Sequence, residues 1–471
     1  MPFSRFDRYV DRHSRSFVER LQELCRMPSV AARGTGMRAV ADAVEQMLQR
    51  TGAGTRVFKI GSGFPIVYGE CGAGPRCFVV YGHYDVQPIG QLSEWSSGPF
   101  AASIVGERLY ARGASNSKGD LVARIAAVEA YQKTYGKLPV CLRFVVEGED
   151  GIASPSLYKF VEQHGGLLAA DGCVWDDGAK DTKERLVINL GFKGISFLEL
   201  RAYGARTDLH SKWGGIVPNP AWRLVQALST VVSPKGVITI DNFTSHVAPV
   251  SNEDAVVLKT VELDEPGLRR EFRIGGWVRG LTGRQLTKEL IFGPTCTICG
   301  IRTGHTEAGA KTVLPGTATA RLDFRLVPDL TPELVVKLLR KHLDARGFQD
   351  IEIIELGSAP TAKSSPRSTV ARAAIESAEE IYGTPPVIFP LDPASGPVGA
   401  VCGVQQPATP VVSFGVSYAG SNPHAPDENI RLEDFIQGIK YFGRIIQRLA
   451  YVEEQEPLAS RDTAALAPVK K

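Results

Sequence analysis

The chain has 471 residues, 43% hydrophobic and 22% charged, with 48 glycines, and its net charge is +3. That length exceeds one ordinary core and calls for two domains of a globular protein, not a disordered one. The basic residues are dispersed and no run approaches the roughly 18 apolar residues that cross a membrane, so neither nucleic acid nor bilayer is an expected partner. Residues 1–17 are polar and mixed in charge with no signal-peptide core, and eight cysteines in so long a chain make no disulfide scaffold. A reducing cytoplasm is the default compartment.

Residues 5–51 read as helices, with Phe17, Leu21, Leu24 and Cys25 on one face and the same pattern repeated from Val40 to Leu48. From about 55 to 175, apolar runs at 57–60, 77–81, 142–146 and 172–175 alternate with helical stretches, 120–135 among them. The alternation predicts an α/β fold with a mixed or parallel sheet flanked by helices. Chemistry in such sheets lies in the loops beyond the strand ends. His83, the acidic run 147–150 and Asp176 all follow apolar strands directly and so are expected to share one site.

The character changes near Gly191. Strands at 195–202, 318–327 and 351–355 with helices at 220–232 and 332–345 predict an inserted α+β domain over 193–358. The first domain, 1–192, resumes over 359–452 with a helix at 368–382, a strand at 411–414 and a helix at 432–451. The tail, 453–471, is rich in Ala, Pro and charge and is expected to be disordered. Cys296-Thr297-Ile298-Cys299 is a lone CxxC within an expected strand over 294–301, and reads as two thiols packed along that strand.

Five blocks carry the chemistry: Tyr81-Gly82-His83-Tyr84-Asp85-Val86-Gln87-Pro88, Arg112-Gly113-Ala114-Ser115-Asn116-Ser117-Lys118-Gly119, Glu147-Gly148-Glu149-Asp150-Gly151, Val174-Trp175-Asp176, and Asn422-Pro423-His424-Ala425-Pro426. Glu94-Trp95 and Gly98-Pro99-Phe100 stand between the first two. In this order and spacing, over nearly the whole chain, they resemble the dinuclear zinc peptidase family M20. The resemblance implies a zinc-peptidase-like catalytic domain whose inserted domain serves as dimerisation and lid domain of a homodimer.

It also implies roles. His83 and Asp176 match ligands of one zinc, with Asp177 the alternative to Asp176, and Asp85 holds the imidazole in the ligating tautomer. His424 matches the terminal ligand of the other zinc. Asp150 matches the general base. Asn116 stands where a carboxylate bridges the two ions, and Gly151 where a Glu ligates the second. A neutral amide brings one oxygen donor and no charge, so two nearby dications lose the screening that makes them tolerable. Asp150 is also shorter than the Glu it replaces by about 1.5 Å of reach. A local shift that makes Glu149 the base and turns Asp150 toward a metal is the other arrangement. In the inserted domain, Asp208-Leu209-His210-Ser211 resembles the block whose His crosses the dimer interface to polarise the scissile carbonyl. Lys212 replaces the family's Gly there, and Thr297 stands where many members carry an Asn. Arg325, Ser395 and Gly396 match the positions that hold the substrate carboxylate.

The resulting expectation is a metal-dependent amidohydrolase or dipeptidase, with one zinc ion per subunit or none, acting on a dipeptide or N-acyl amino acid. The competing readings are an enzyme of this fold diverged to amide ligation, acyl transfer or rearrangement without catalytic zinc, and a non-catalytic homologue.

Overall fold

The structure, a computed structural model, describes residues 3–404 and 407–451. An eight-stranded mixed sheet runs in the order Gly54–Phe58, Ile66–Cys71, Cys141–Glu147, Cys77–His83, Gly172–Trp175, Val411–Ser413, Val187–Asn189, Val387–Phe389. Its four central strands, 141–147, 77–83, 172–175 and 411–413, are mutually parallel, so their carboxyl ends lie side by side.

Alternation along each strand assigns its side chains to two cores. Phe78, Val80, Phe144, Val146, Val174 and Val412 face a thick helical layer that includes helices Ser4–Arg26, Gly119–Tyr135, Thr369–Tyr382 and Leu432–Tyr451. Val79, Tyr81, Val145, Cys173, Trp175 and Val411 face a thinner layer with Leu157, Phe160, Val398 and Val401. Because both faces are covered, the central strands read as continuous apolar runs instead of alternating ones.

A second, antiparallel sheet of four strands, in the order Thr295–Thr303, Thr317–Leu326, Gly194–Tyr203, Glu352–Ala359, has its own apolar core with helices Pro220–Leu228 and Pro332–Ala345. The strand Thr317–Leu326 shows why: Ala318, Ala320, Leu322, Phe324 and Leu326 all point into this core, and the intervening residues point out. The fold is therefore a helix-flanked mixed sheet with an inserted α+β unit. The chain crosses at Gly191–Phe192, which pairs antiparallel with Ala362–Lys363.

Several expectations differ from what is observed. The strand expected at 57–60 is Gly54–Phe58, and the helices Asn252–Leu258, Glu265–Phe272 and Gly283–Phe292 were not read, being short and mostly exposed. Of the two CxxC thiols, only Cys296 packs against the core; Cys299 is exposed at a β-bulge between Ile298 and Gly300. Cys77 and Cys141 form a disulfide across directly paired strands. The expected disordered tail, 453–471, lies outside the described residues. No helix among the described residues is long and apolar enough to cross a membrane.

Candidate active site

Three neighbouring strand ends are stapled together by one side chain. Arg124, buried in helix Gly119–Tyr135, donates to the carbonyls of Tyr81 (2.9 Å), Trp175 (2.7 Å) and Phe414 (2.9 Å). Each bond is charge-assisted and ties a backbone carbonyl at or near a strand end to the helix. Four residues before Arg124 on the same helix, Asp120 accepts from Val416 N at 2.8 Å, which secures the loop after the fourth strand.

His83 closes the strand Cys77–His83 opposite Glu147. Its Nδ1 lies 3.0 Å from the Asp85 carbonyl and 3.2 Å from Asp85 Oδ1. The Asp85 carboxylate is fully buried and also accepts from Gly151 N (2.9 Å) and Asp150 N (3.2 Å). Asp85 therefore sets the imidazole and the 150–152 turn against one another. With Nδ1 directed at Asp85, Nε2 faces outward, 3.8 Å from Asp150 Oδ2 and 3.9 Å from Asp176 Oδ2. Ser117 Oγ donates to that same Asp176 oxygen at 2.7 Å.

The electrostatics match this geometry. Burial alone pushes the His83 imidazole toward neutrality, but Asp150, Asp85 and Asp176 outweigh it and hold its pKa well above the ordinary value. Burial pushes the Asp176 carboxyl up to about 6, with His83 and Arg124 pulling the other way. Burial raises Asp177 too, with Asp150 adding to the effect. Excess negative charge in a half-closed pocket is what a cation relieves.

The opposing wall is built differently. A fully buried ion pair, Arg112 Nη1 to Glu428 Oε2 at 2.6 Å, joins two loops distant in sequence. Glu428 Oε1 accepts from Ser115 N and Asn116 N, each at 3.0 Å, while Arg112 Nη2 donates to His424 O at 3.2 Å. Both loops are thereby fixed, and His424 Nε2 meets Asn116 Oδ1 at 3.1 Å. His424 is also close enough to bear on the Asp177 carboxyl, so the two walls face one space.

The donors suit a single divalent ion in kind on the first wall, where an imidazole and two carboxylates converge. In spacing they are slightly open: the 3.8 and 3.9 Å separations exceed the about 3.3 Å between two ligands of a tetrahedral zinc. Among the described residues, no group of three or more His, Cys, Asp or Glu side chains stands at metal-holding separation as placed. The second wall does not fit an ion. His424 and Asn116 are spent on each other, and Gly151 supplies no side chain. A Cβ added there would already sit 3.0 Å from Asp85 Oδ2 and 3.2 Å from Gln87 Nε2.

Glu149, the alternative base in the sequence reading, is committed to a helix cap. Its carboxylate is buried and accepts from Phe64 N and Ser156 N, each at 2.8 Å, capping helix Pro155–His164. Asp150, whose side chain is 36% exposed, faces His83 instead.

The expected substrate contacts lie apart from this cluster. His210 is exposed in the inserted sheet unit, its Nδ1 accepting from Lys212 N at 3.1 Å. Among the described residues, no hydrogen bond or ion pair joins it to the strand ends. Arg325 grips Asp323 two residues back on its own strand at 3.0 to 3.2 Å. Ser395 Oγ donates to Gly194 O at 3.0 Å, latching the Ser395-Gly396 loop to the chain crossing. Between these parts, Asp392 is pushed up to about 6 by burial and by Asp177, against Lys193, which in turn feels Arg325.

Arg112, Glu428, Ser117, Asp120 and Arg124 shape the site and were not singled out from the sequence. A signal existed for two of them: Asp120 and Arg124, four apart, stand in the first half of a helix that is otherwise apolar on every side from Leu121 to Val128, which marks charges that must be buried and paired.

Residues 79–448 match the description "Peptidase family M20/M25/M40". The Beta-Ala-His dipeptidase of Rattus norvegicus is 27% identical, with 96% of this chain and 96% of the relative covered. The Cys-Gly metallodipeptidase dug1 of Schizosaccharomyces pombe is 26% identical over 94% of this chain and 97% of its own. Among solved structures, an M20 family metallo-carboxypeptidase from Sulfolobus solfataricus superimposes with a TM-score of 0.86 at 33% identity, covering 93% of this chain and 99% of the other. Human carnosine dipeptidase 1 gives 0.75 at 25% identity, covering 96% and 100%.

Proposed function

The chain belongs to peptidase family M20/M25/M40, and on that premise we propose that it hydrolyses the amide bond of a dipeptide or N-acyl amino acid through a single-zinc site. The observation that carries the reading is the His83 Nε2 atom, aimed by Asp85 at a space bounded by Asp150 and Asp176. A chain that had abandoned metal chemistry has no use for a buried imidazole oriented in this way among unneutralised carboxylates. The relatives matched over the whole length are named as dipeptidases, which favours hydrolysis over ligation or acyl transfer.

His83 and Asp176 hold the ion in this reading. When bound, it supplies Lewis-acid polarisation and a lowered water pKa. Asp150, more open than Asp176, takes the proton as water oxygen bonds to the carbonyl carbon and the carbonyl π pair moves onto oxygen. The C–N bond then breaks, and the amine leaves with the proton Asp150 held. Arg325, released from Asp323, binds the substrate carboxylate together with the Ser395-Gly396 loop.

His210 reaches the carbonyl from a second copy of the chain in a homodimer formed through the inserted unit. The edge strand Thr295–Thr303, unpaired on one side and exposing Ile298 and Ile301, suits such an interface. A cytoplasmic working compartment belongs to this reading with six of the eight cysteines free, while the Cys77–Cys141 disulfide points the other way.

The test is metal analysis of the purified protein alongside a panel of dipeptides and N-acyl amino acids, with and without chelator. Chelator-sensitive cleavage with about one zinc per subunit is the expected result. Absence of both zinc and cleavage refutes the reading.

A further inference from the structure

The second wall of the site holds no ion-binding set, yet it is more firmly built than the first. Glu428 and Arg112 fix the 115–116 backbone and the His424 carbonyl, and Arg112 also reaches the Pro88 carbonyl and the Trp95 ring. What that scaffolding delivers is the side chain of Asn116. His424 Nε2–H donates to Asn116 Oδ1 at 3.1 Å, which fixes the rotation of the amide about its own axis. The other end of the amide, Nδ2, donates to nothing among the described residues and belongs to a half-buried side chain. Next in sequence, Ser117 touches Asp176 on the first wall, so the amide borders the space beside His83.

We propose that Asn116 Nδ2 is a catalytic hydrogen-bond donor to the carbonyl oxygen of the scissile amide, standing in for a second metal ion, and that His424 is the residue that positions it. The inference rests on the hydrolytic reading above and adds a residue role to it. A neutral donor suits this place physically. The carbonyl oxygen gains negative charge as water adds, and a fixed amide dipole stabilises that charge without reorganising. It also requires no carboxylate to balance it, which accounts for the tolerance of Gly151 where an acidic ligand would otherwise be needed. The oriented pair at 116 and 424 has a purpose in this arrangement that a mere relic of a lost ion would lack.

Replacing an oxyanion donor costs about 100- to 1,000-fold in kcat. Asn116→Ala is therefore expected to lower kcat by about 100-fold or more with KM nearly unchanged and zinc content unaltered. Asn116→Asp, the same shape without the donor, discriminates further. As a donor loss it lowers kcat at least as much; if Asn116 were a crippled bridging ligand, it would instead raise both activity and zinc content, and that result overturns the proposal. For His424, Gln keeps a side-chain donor and is expected to stay within about tenfold of wild type, whereas Ala falls to the Asn116→Ala level. Asn116→Ala combined with His424→Ala is expected to be no worse than Asn116→Ala alone, as for residues acting as a unit.

A second readout needs no turnover: binding of a phosphinic dipeptide analogue, whose tetrahedral oxyanion mimics the intermediate, measured calorimetrically. Asn116→Ala is expected to weaken the analogue about 100-fold and leave the binding of a product amino acid unchanged. If wild type binds the analogue in an Asn116-dependent way but cleaves no substrate, the hydrolytic reading fails and the donor assignment stands. If wild type cleaves and Asn116→Ala matches it in kcat and analogue affinity, the donor assignment fails and hydrolysis stands. A wild-type chain that does neither overturns both.

Discussion

The two walls of the site meet the same problem with opposite chemistry. On one, Asp150 and Asp176 bring concentrated negative charge around the His83 imidazole, 3.8 and 3.9 Å from its Nε2. On the other, a buried Arg112–Glu428 pair consumes its charge internally and presents a neutral amide, tied to a histidine. The first wall carries carboxylates that a cation would neutralise; the second is paired within the protein except for Asn116 Nδ2 and the buried Arg112 Nε, which have no hydrogen-bond partner among the described residues. A wall without an ion-binding set thus need not leave a hole, because its polar groups can close on one another.

The comparison can be broken most forcefully at the acidic wall. Asp150→Asn is expected to cost about 100- to 10,000-fold in kcat while zinc binding persists. Loss of zinc together with activity would instead make Asp150 a ligand and remove its role as base. At the neutral wall the larger consequence falls on stability. Arg112→Met strands the Glu428 carboxylate in a site that is 0% exposed, and should lower unfolding free energy by about 3–5 kcal/mol. A denaturant titration within 1 kcal/mol of wild type would show that the ion pair is not the scaffold argued for here.

The last effect concerns pH. Burial pushes the Asp120 carboxyl up to about 7, opposed by Arg124 and reinforced by Asp176. A raised carboxyl binds its proton more tightly folded than unfolded, so the folded state is penalised as pH rises from the unfolded value near 4 to about 7. Wild-type Tm should therefore fall relative to that of Asp120→Asn over this interval, with the difference constant above it. A difference that is flat across the whole interval contradicts the assigned shift.

Much of the fold was legible because it follows from local periodicity. The helices at 332–345 and 432–451 and the strand at 318–327 show a clean period of 3.6 or 2 and are found where read, to within a residue or so at their ends. The strand Val187–Asn189 and its partner Val387–Phe389 are three residues each and carry no period to read. In the site, the types of residue were legible but their contacts were not. Glu149 and Asp150 are adjacent acids, and the sequence offered both as bases. Only the turn after the strand Cys141–Glu147 assigns one to cap a helix and the other to face His83.

By itself, then, the sequence determined the layered α/β architecture, the strand ends that carry chemistry, and the absence of a charge at 116 and of a side chain at 151. These are properties of residue type and short-range spacing. The tertiary structure alone decided that Asn116 and His424, 308 positions apart, are hydrogen-bonded to one another. It likewise decided that Arg112 finds Glu428. Such pairings depend on which loops the parallel strands bring to one edge. A buried polar group has to find a partner there, whatever its distance along the chain.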